Sequence, residues 1–209
     1  MSSNIGISII NCKGETTISK NEITSSYMGI NLFQSEARIE YNVIIGSCVL
    51  DTCSKVSFTK VAEVGINSDR DSEMLVNPNI LKNFFISLDI YKSLIDEFEG
   101  NSINFTNTGI KLVHSEFTSS ENYINNTYYG LKATDSNLQI NGMRLNTFDV
   151  GIDTFNSSTE VNYVIFNQGR LCMAYVDSSY TILNYQNLNC DEAILYEKYF
   201  LKIKIQTNE

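Results

Sequence analysis

Gly109-Ile-Lys-Leu-Val-His-Ser115, Gly130-Leu-Lys-Ala-Thr-Asp-Ser136 and Gly151-Ile-Asp-Thr-Phe-Asn-Ser157 are one phrase written three times, at a step of 21 residues. Cys172-Met-Ala-Tyr-Val-Asp-Ser178 follows at the same step, and Ala193-Ile194 opens a further copy. The frame also occurs earlier, at Gly6-Ile7 and Gly29-Ile30, with Val49-Leu50 after the second. A fixed period of this size marks an architecture of stacked units, and it outranks local propensity.

Aligned on the small residue, the units share further columns. Six positions on stand Cys12, Ser35, Ser115, Ser136, Ser157 and Ser178. Ten positions on stand Ile39, Ser119, Ile140, Val161 and Ile182. Fifteen positions on stand Ile44, Ile124, Leu145 and Phe166, with Asn187 interrupting the run. Short apolar alternations such as Ile110-x-Leu112 and Ile103-x-Phe105 read as strands. Three short strands and three polar turns fit in 21 residues, so the coils are expected to stack through parallel ladders, like residue on like. The period also suits leucine-rich repeats, but their Leu-x-x-Leu-x-Leu-x-x-Asn pattern is absent. The expected fold is all-β, a right-handed parallel β-helix.

The stretch from Ile18 through Asn21, Ile23, Gly29, Ile30, Leu32 and Ser35 to Asn42 and Ile44 resembles the repeat of right-handed β-helix proteins. That group includes pectate-lyase-like and NosD-type carbohydrate-binding and sugar-hydrolysis domains, and phage tailspike stems. The resemblance covers residues 5–66 and 101–200. It implies the fold and a link to carbohydrate. The matching residues are core and turn positions, so it assigns no catalytic residue. The family's asparagine appears at Asn21, Asn42 and Asn122, and gives way to Met143, Val164 and Tyr185 in later coils.

Between Asn67 and Gly100 the period is lost. Ser68–Glu73 reads as a charged loop. After Pro78, apolar residues at Ile80, Leu81, Phe84, Phe85, Leu88, Tyr91, Leu94, Ile95 and Phe98 fall at helical spacing. They predict an amphipathic helix over about 79–98, closed by Gly100. The chain then divides into first coils (1–66), a loop-plus-helix insertion (67–100) and regular coils (101–209), within one continuous domain. The helix is expected either to cover the stack or to dock a partner.

A formal charge of −9 disfavours nucleic acid, which needs clustered lysine and arginine. No stretch is long and apolar enough for a transmembrane helix, so no membrane insertion is expected. The N-terminus lacks a charged n-region and a cleavage site, so no signal peptide is expected in the chain as given. An uncapped β-helix presents open strand edges, so partner subunits or further copies are expected to cover its ends. Five scattered cysteines without a metal-type spacing predict reduced, buried thiols and no metal.

One polar column carries the candidate chemistry. Five positions after the small residue stand Asn11, Gln34, His114, Asp135, Asn156 and Asp177. Stacked at ~4.8 Å per coil, His114 neighbours Asp135, and Asp135 lies about 10 Å from Asp177. That is near the ~6.5–9.5 Å separation of carboxyl groups in inverting glycosidases. Asp135, Asp177 and His114 are therefore the candidate catalytic set, against the plainer expectation of a polar ladder at a turn. Lys111, Lys132 and Asp153, with Asn156 nearby, are the candidate binding residues for an acidic sugar. No cofactor is implied. Two functions fit: a non-catalytic structural or adhesion module of a surface or virion assembly, able to bind a glycan; or a polysaccharide hydrolase or lyase using the aspartates.

Overall fold

The computed structural model describes residues 5–25, 27–46, 64–197 and 203–205. Its strands, in chain order, are β1 (Ile5–Ile10), β2 (Thr16–Ser19), β3 (Glu22–Ser25), β4 (Met28–Phe33), β5 (Glu36–Glu40), β6 (Val43–Gly46), β7 (Val64–Asp69), β8 (Glu73–Val76), β9 (Ile80–Lys82) and β10 (Ile86–Tyr91). They continue with β11 (Leu94–Glu99), β12 (Ser102–Val113), β13 (Glu116–Ser120), β14 (Tyr123–Thr134), β15 (Asn137–Asn141), β16 (Arg144–Phe155), β17 (Ser158–Val176), β18 (Ser179–Glu197) and β19 (Ile203–Ile205). All described pairings are parallel, and they sort the strands into three faces of a parallel β-helix.

Face A stacks β1, β4, β7 and β10 on the C-terminal parts of β12, β14, β16, β17 and β18. Face B stacks β2, β5, β8, β11, β13 and β15, then the starts of β17 and β18, and β19. Face C stacks β3, β6 and β9 on the first parts of β12, β14 and β16. Counting each coil from its small-aliphatic pair, the stack runs Gly6, Gly29, Gly65, Ser87, Gly109, Gly130, Gly151 and Cys172, with Ala193 beginning a ninth coil. The expected pair Val49-Leu50 lies outside the described residues.

Like residues stack to make the core. Ile110, Leu131, Ile152 and Met173 are in register and closed to solvent. Ile103, Ile124, Leu145 and Phe166 form a second such column from face C. Leu188 continues this column in place of Asn187, because bulges in β18 advance its register by one residue. Each buried aliphatic side chain contributes about 1.5–3 kcal/mol of transfer free energy. The small-residue column follows from close approach: a Cβ on Gly109 would lie 2.5 Å from the Gly130 carbonyl oxygen.

The expected helix over 79–98 is not there; the segment forms β9, β10 and β11 and completes a coil. The helical spacing was produced by three strands whose inward residues are Leu81 and Phe84, then Leu88 and Ile90, then Ile95 and Phe98. Turns reset the two-residue alternation, and the sum mimics a period near 3.6. Ile80 and Tyr91, assigned to the helix's apolar face, point outward and are exposed. The 21-residue step is lost here because coils three and four each carry one extra residue. Coil three absorbs it in a corner with two left-handed residues, Arg70 and Asp71. Coil four absorbs it in a bulge of β11, where pairing with β8 skips from Ile95 to Glu97 and leaves Asp96 over.

A second correction concerns the cysteines. Cys172 and Cys190 form a disulfide, with Cα atoms 5.7 Å apart, so these two are not reduced thiols. Cys190 pairs with Gly169 at the ordinary 21-residue step, just after the shifted stretch of β18 ends, and lies within reach of Cys172. Their separation of 18 residues is no multiple of the coil, so column alignment cannot reveal the pair. Cys12 is free, its sulfur 3.3 Å from the Thr16 hydroxyl. Cys48 and Cys53 lie outside the described residues.

Candidate functional site

The corner between faces A and B carries the candidate catalytic column, and backbone geometry dictates its composition. Asn11, Gln34, Lys92, His114, Asp135, Asn156 and Asp177 all adopt φ between 45° and 53°. Non-glycine residues seldom enter this left-handed region, and Asn, Asp and His do so most readily. The next residue locks each turn. The backbone N–H groups of Ser93, Ser115, Ser136 and Ser157 donate to the serine hydroxyl of the following coil, at 3.1–3.3 Å. The hydroxyls donate in turn to carbonyls two residues back, as Ser115 does to Val113 at 2.8 Å.

On this corner His114 Nδ1 stands 3.7 Å from Asp135 Oδ2. Asn156 Nδ2 donates to Asp135 Oδ1 at 2.5 Å. Asp177 is exposed, one coil beyond Asn156. His114, Asp135 and Asn156 are thus brought into one linked row, while Asp177 stands two coils from Asp135 with the Asn156 coil between them.

Face A holds the candidate binding residues in a single outward column, Asp89, Lys111, Lys132 and Asp153. Lys111 Nζ reaches both Asp89 oxygens, at 3.0 and 3.1 Å. Lys132 Nζ lies 3.6 Å from Asp153 and 4.7 Å from the centre of the Tyr129 ring. Each lysine therefore already faces a carboxylate. Val150, Leu171 and Ala174 form a small apolar cluster separate from the main core, with Tyr129 packed against it. Beside it Arg170 grips Asp149 with two hydrogen bonds, at 2.8 and 3.0 Å. The guanidinium holds the Asp149 carboxyl below the usual carboxylate range. The charge of Asp149 in turn pushes the Tyr128 hydroxyl up.

Nearer the corner, face A carries a second outward column: Ile10, Phe33, Asp69, Tyr91, Val113, Thr134, Phe155 and Val176, all in register. Ile10 is 60% exposed, Phe155 47% and Tyr91 37%. The column is apolar on six of these eight coils, and of its residues the sequence drew attention only to Tyr91, as part of the expected helix's apolar face. The signal was available: these residues immediately precede the left-handed corner, four positions after the small residue in the regular coils.

Face B bears a groove of about 300 Å³ that crosses four successive coils, lined by Asp96, Glu116, Thr118, Asn137, Gln139 and Glu160 among others. A second groove, about 460 Å³, adjoins it through Leu94 and Glu116 and reaches Asp71, Glu73, Lys92 and His114. The β11 bulge brings Asp96 to Glu73. A hydrogen bond between the two carboxyls, and then the charge of Asp96, push the Glu73 carboxyl above its usual value. Glu73 and Asp96 went unnoticed in the sequence because they fall in the segment that looked like a loop and a helix. With 22-residue spacing allowed there, they take their places on face B.

No protein-family model matches the chain, and no curated protein sequence matches it. Among solved structures, it is similar to the enzymatically active domain of tailspike protein 2 of bacteriophage CBA120. The two are 13% identical, with a TM-score of 0.43 over 88% of this chain and 39% of that chain.

Proposed function

We propose that this chain is a non-catalytic, glycan-binding β-helix module of a surface or virion assembly. The observation that carries the reading is the face B groove, where hydroxyl, amide and carboxylate side chains repeat across four coils. A sugar ring offers donors and acceptors around its rim, and side chains fixed on a rigid sheet meet them with little ordering cost. Thr118 and Gln139, on adjacent strands in register, supply neutral donors and acceptors. Glu116 and Glu160 supply acceptors alone. The assembly context rests on the resemblance of the repeat to surface and virion β-helices, which is an analogy of fold.

Lys111, Lys132 and Asp153 act in this reading as supports of the face A ladder. An acidic sugar there has to displace Asp89 or Asp153 from its lysine. Asn156 likewise orders the corner through Asp135.

A second reading, a polysaccharide hydrolase, is favoured by one specific observation. A hydrogen bond to Asp96, and then the charge of that residue, raise the Glu73 carboxyl above its usual value, and a hydrolase needs one carboxyl that holds its proton. Asp135 and Asp177, with His114 beside the former, are the other candidate pair.

Incubating the protein with neutral and acidic polysaccharides, then measuring both retention and chain length, tests the two readings together. The expected result is retention without shortening, abolished by Gln139→Trp, which fills the groove. Failure to retain any polysaccharide overturns the glycan-binding reading. Shortening overturns the non-catalytic one, and loss of that shortening in Glu73→Gln or in Asp135→Asn identifies the acid.

A further inference from the structure

We propose that the face B groove takes a polysaccharide bearing free amino groups, selected by Glu116, Glu160 and the two acids of the β11 bulge, Asp96 and Glu97. This rests on the glycan-binding reading above and names the class of sugar.

The two faces treat their charges differently. On face A the carboxylates already have cations of the chain beside them: Asp89 faces Lys111, Asp153 faces Lys132, and Asp149 faces Arg170. Face B has Arg38 against Glu15, 2.7 Å apart, at the start of the stack. Over the four coils that the groove crosses, β11, β13, β15 and the first residues of β17 contain no lysine, arginine or histidine. They carry Asp96, Glu97, Glu99, Glu116 and Glu160, and none of these has a lysine or arginine within 4.0 Å among the described residues. Carboxyls with no cation to meet turn to each other. A hydrogen bond with Asp96 pushes Glu73 up, and one with Glu97 pushes Glu99 up. Face B thus keeps a negative field that the chain itself does not neutralise.

The order of groups along the groove favours a sugar. Thr118, Gln139 and Glu160 stand in register in one outward column. At its other end Asp96 and Glu97 together oppose Thr118, because the bulge sets two residues against one. The column reads carboxylates, hydroxyl, amide, carboxylate over three rungs of ~4.8 Å, or ~14 Å. Beside it Glu116, Asn137 and Ser158 run in register in the neighbouring column. A metal ion gathers its carboxylates around one point, whereas these are spread rung by rung. The side chains of a lysine-rich peptide answer the carboxylates and leave the hydroxyls and amides between them idle. An amino sugar carries an ammonium group and several hydroxyls on one rigid ring, and answers both kinds of side chain with little ordering cost. Its ammonium group makes charge-assisted hydrogen bonds, roughly twice as strong as neutral ones. A uronate sets its own carboxylate against Glu116 or Glu160 and is repelled.

Isothermal titration calorimetry at low salt tests the assignment with three oligosaccharides of equal length: a glucosamine oligomer, its N-acetylated form and a galacturonate oligomer. The glucosamine oligomer should bind tightest, the N-acetylated form roughly tenfold weaker, and the galacturonate oligomer not at all. Glu116→Gln with Glu160→Gln should weaken the glucosamine oligomer roughly tenfold and leave the N-acetylated form unchanged. Glu22→Gln with Glu192→Gln removes the same charge from faces C and A, and should change neither. An oligolysine of matching charge should bind more weakly than the glucosamine oligomer. Binding of none of the three sugars overturns the glycan-binding reading and this inference with it. Equal affinity for the amine and N-acetyl forms, or tighter binding of the galacturonate oligomer, leaves that reading in place and overturns the amino-sugar assignment. Equal weakening by the two double variants, or tighter binding of oligolysine, overturns it in the same way.

Discussion

From Gly109 onward the coils advance by 21 residues each, and the corner between faces B and C is filled by Met143 and then Val164, both buried. Before Gly109 the steps run 23, 36, 22 and 22 residues, and the same corner is filled by Asn21, Asn42, Asn79 and Asn101, with Asn122 of the first regular coil closing the run. These asparagines form a ladder. The backbone N–H and side-chain Nδ2 of Asn42 both donate to Asn79 Oδ1 at 3.0 Å, and Asn79 repeats the pattern on Asn101. The spare Nδ2 hydrogens reach main-chain carbonyls, as Asn101 does to Val76 at 2.6 Å. The irregular half thus fixes its register by directional bonds that survive changes of coil length. The regular half fixes it by apolar columns that need a constant step. Hydrogen bonds specify position, while apolar contact rewards mere coincidence of like residues.

The harshest way to break the comparison is to charge the regular core. Val161 and Ile140 are 1% exposed, and aspartate at either position buries an unpaired charge. The cost, above ~5 kcal/mol, is comparable to the whole stability of a domain. Val161→Asp and Ile140→Asp should each abolish cooperative melting of the coils from Gly109 onward, as followed by circular dichroism. A wild-type melt in either variant contradicts the column assignment.

Exchanging the two corner solutions is gentler and more informative. Asn101→Met strips Asn79 of the acceptor for its backbone N–H and for its side-chain amide, and two buried donors left unpaired cost about 4 kcal/mol. Met143→Asn only extends the ladder by one rung and offers the Asn122 backbone N–H an acceptor, so its cost should stay below about 1.5 kcal/mol. Denaturant titration of both variants measures the asymmetry. Equal losses refute the idea that the ladder can be lengthened but not interrupted.

The disulfide is the regular half's own directional device, placed where its columns weaken. It closes a loop of 18 residues between β17 and β18, at the point where the register slips. Loop-closure entropy values that at about 3 kcal/mol. Cys172→Ala with Cys190→Ala should raise amide exchange in β18 and leave β12 to β15 unchanged. Uniform change along the stack contradicts a local role.

This contrast also explains what could be read before the structure. The columns from Gly109 to Ser178 were legible because four coils repeat without insertion. The asparagines at 21, 42 and 122 were visible as well, but Asn79 and Asn101 were hidden by one extra residue at Arg70-Asp71 and another at Asp96. Those same residues turned a coil into an apparent helix. At the corner, His114, Asp135 and Asp177 were found by column, yet their left-handed φ was not legible. That conformation selects Asn, Asp and His without any catalytic demand. The face B groove was the least legible feature, since it needs the irregular coils in register to bring Glu73, Asp96 and Glu116 side by side.

The smallest effect separates the halves by the sign of a titration. In the irregular half, Glu73 holds its proton to a raised pH beside Asp96. A carboxyl whose folded pKa is raised contributes stability that is complete below its unfolded value, about 4.3, and is lost as pH rises through the folded value. Glu73→Gln removes that loss, so the variant should match the wild type near pH 4 and exceed it slightly at pH 7. In the regular half, Asp149 is depressed by Arg170. Its contribution is complete above the unfolded value, about 3.9, and is lost as pH falls through the depressed one. Asp149→Asn should therefore lower stability at pH 7 and lose that effect in acid. Both groups lie near solvent, so the shifts are small and shrink with salt. Melting midpoints at pH 2, pH 4 and pH 7, in low and high salt, should show Glu73→Gln gaining on the wild type between pH 4 and pH 7, and Asp149→Asn losing its deficit only between pH 4 and pH 2. Absence of that gain for Glu73→Gln means that the Glu73–Asp96 contact does not form in solution, and with it goes the specific support for an acid on face B.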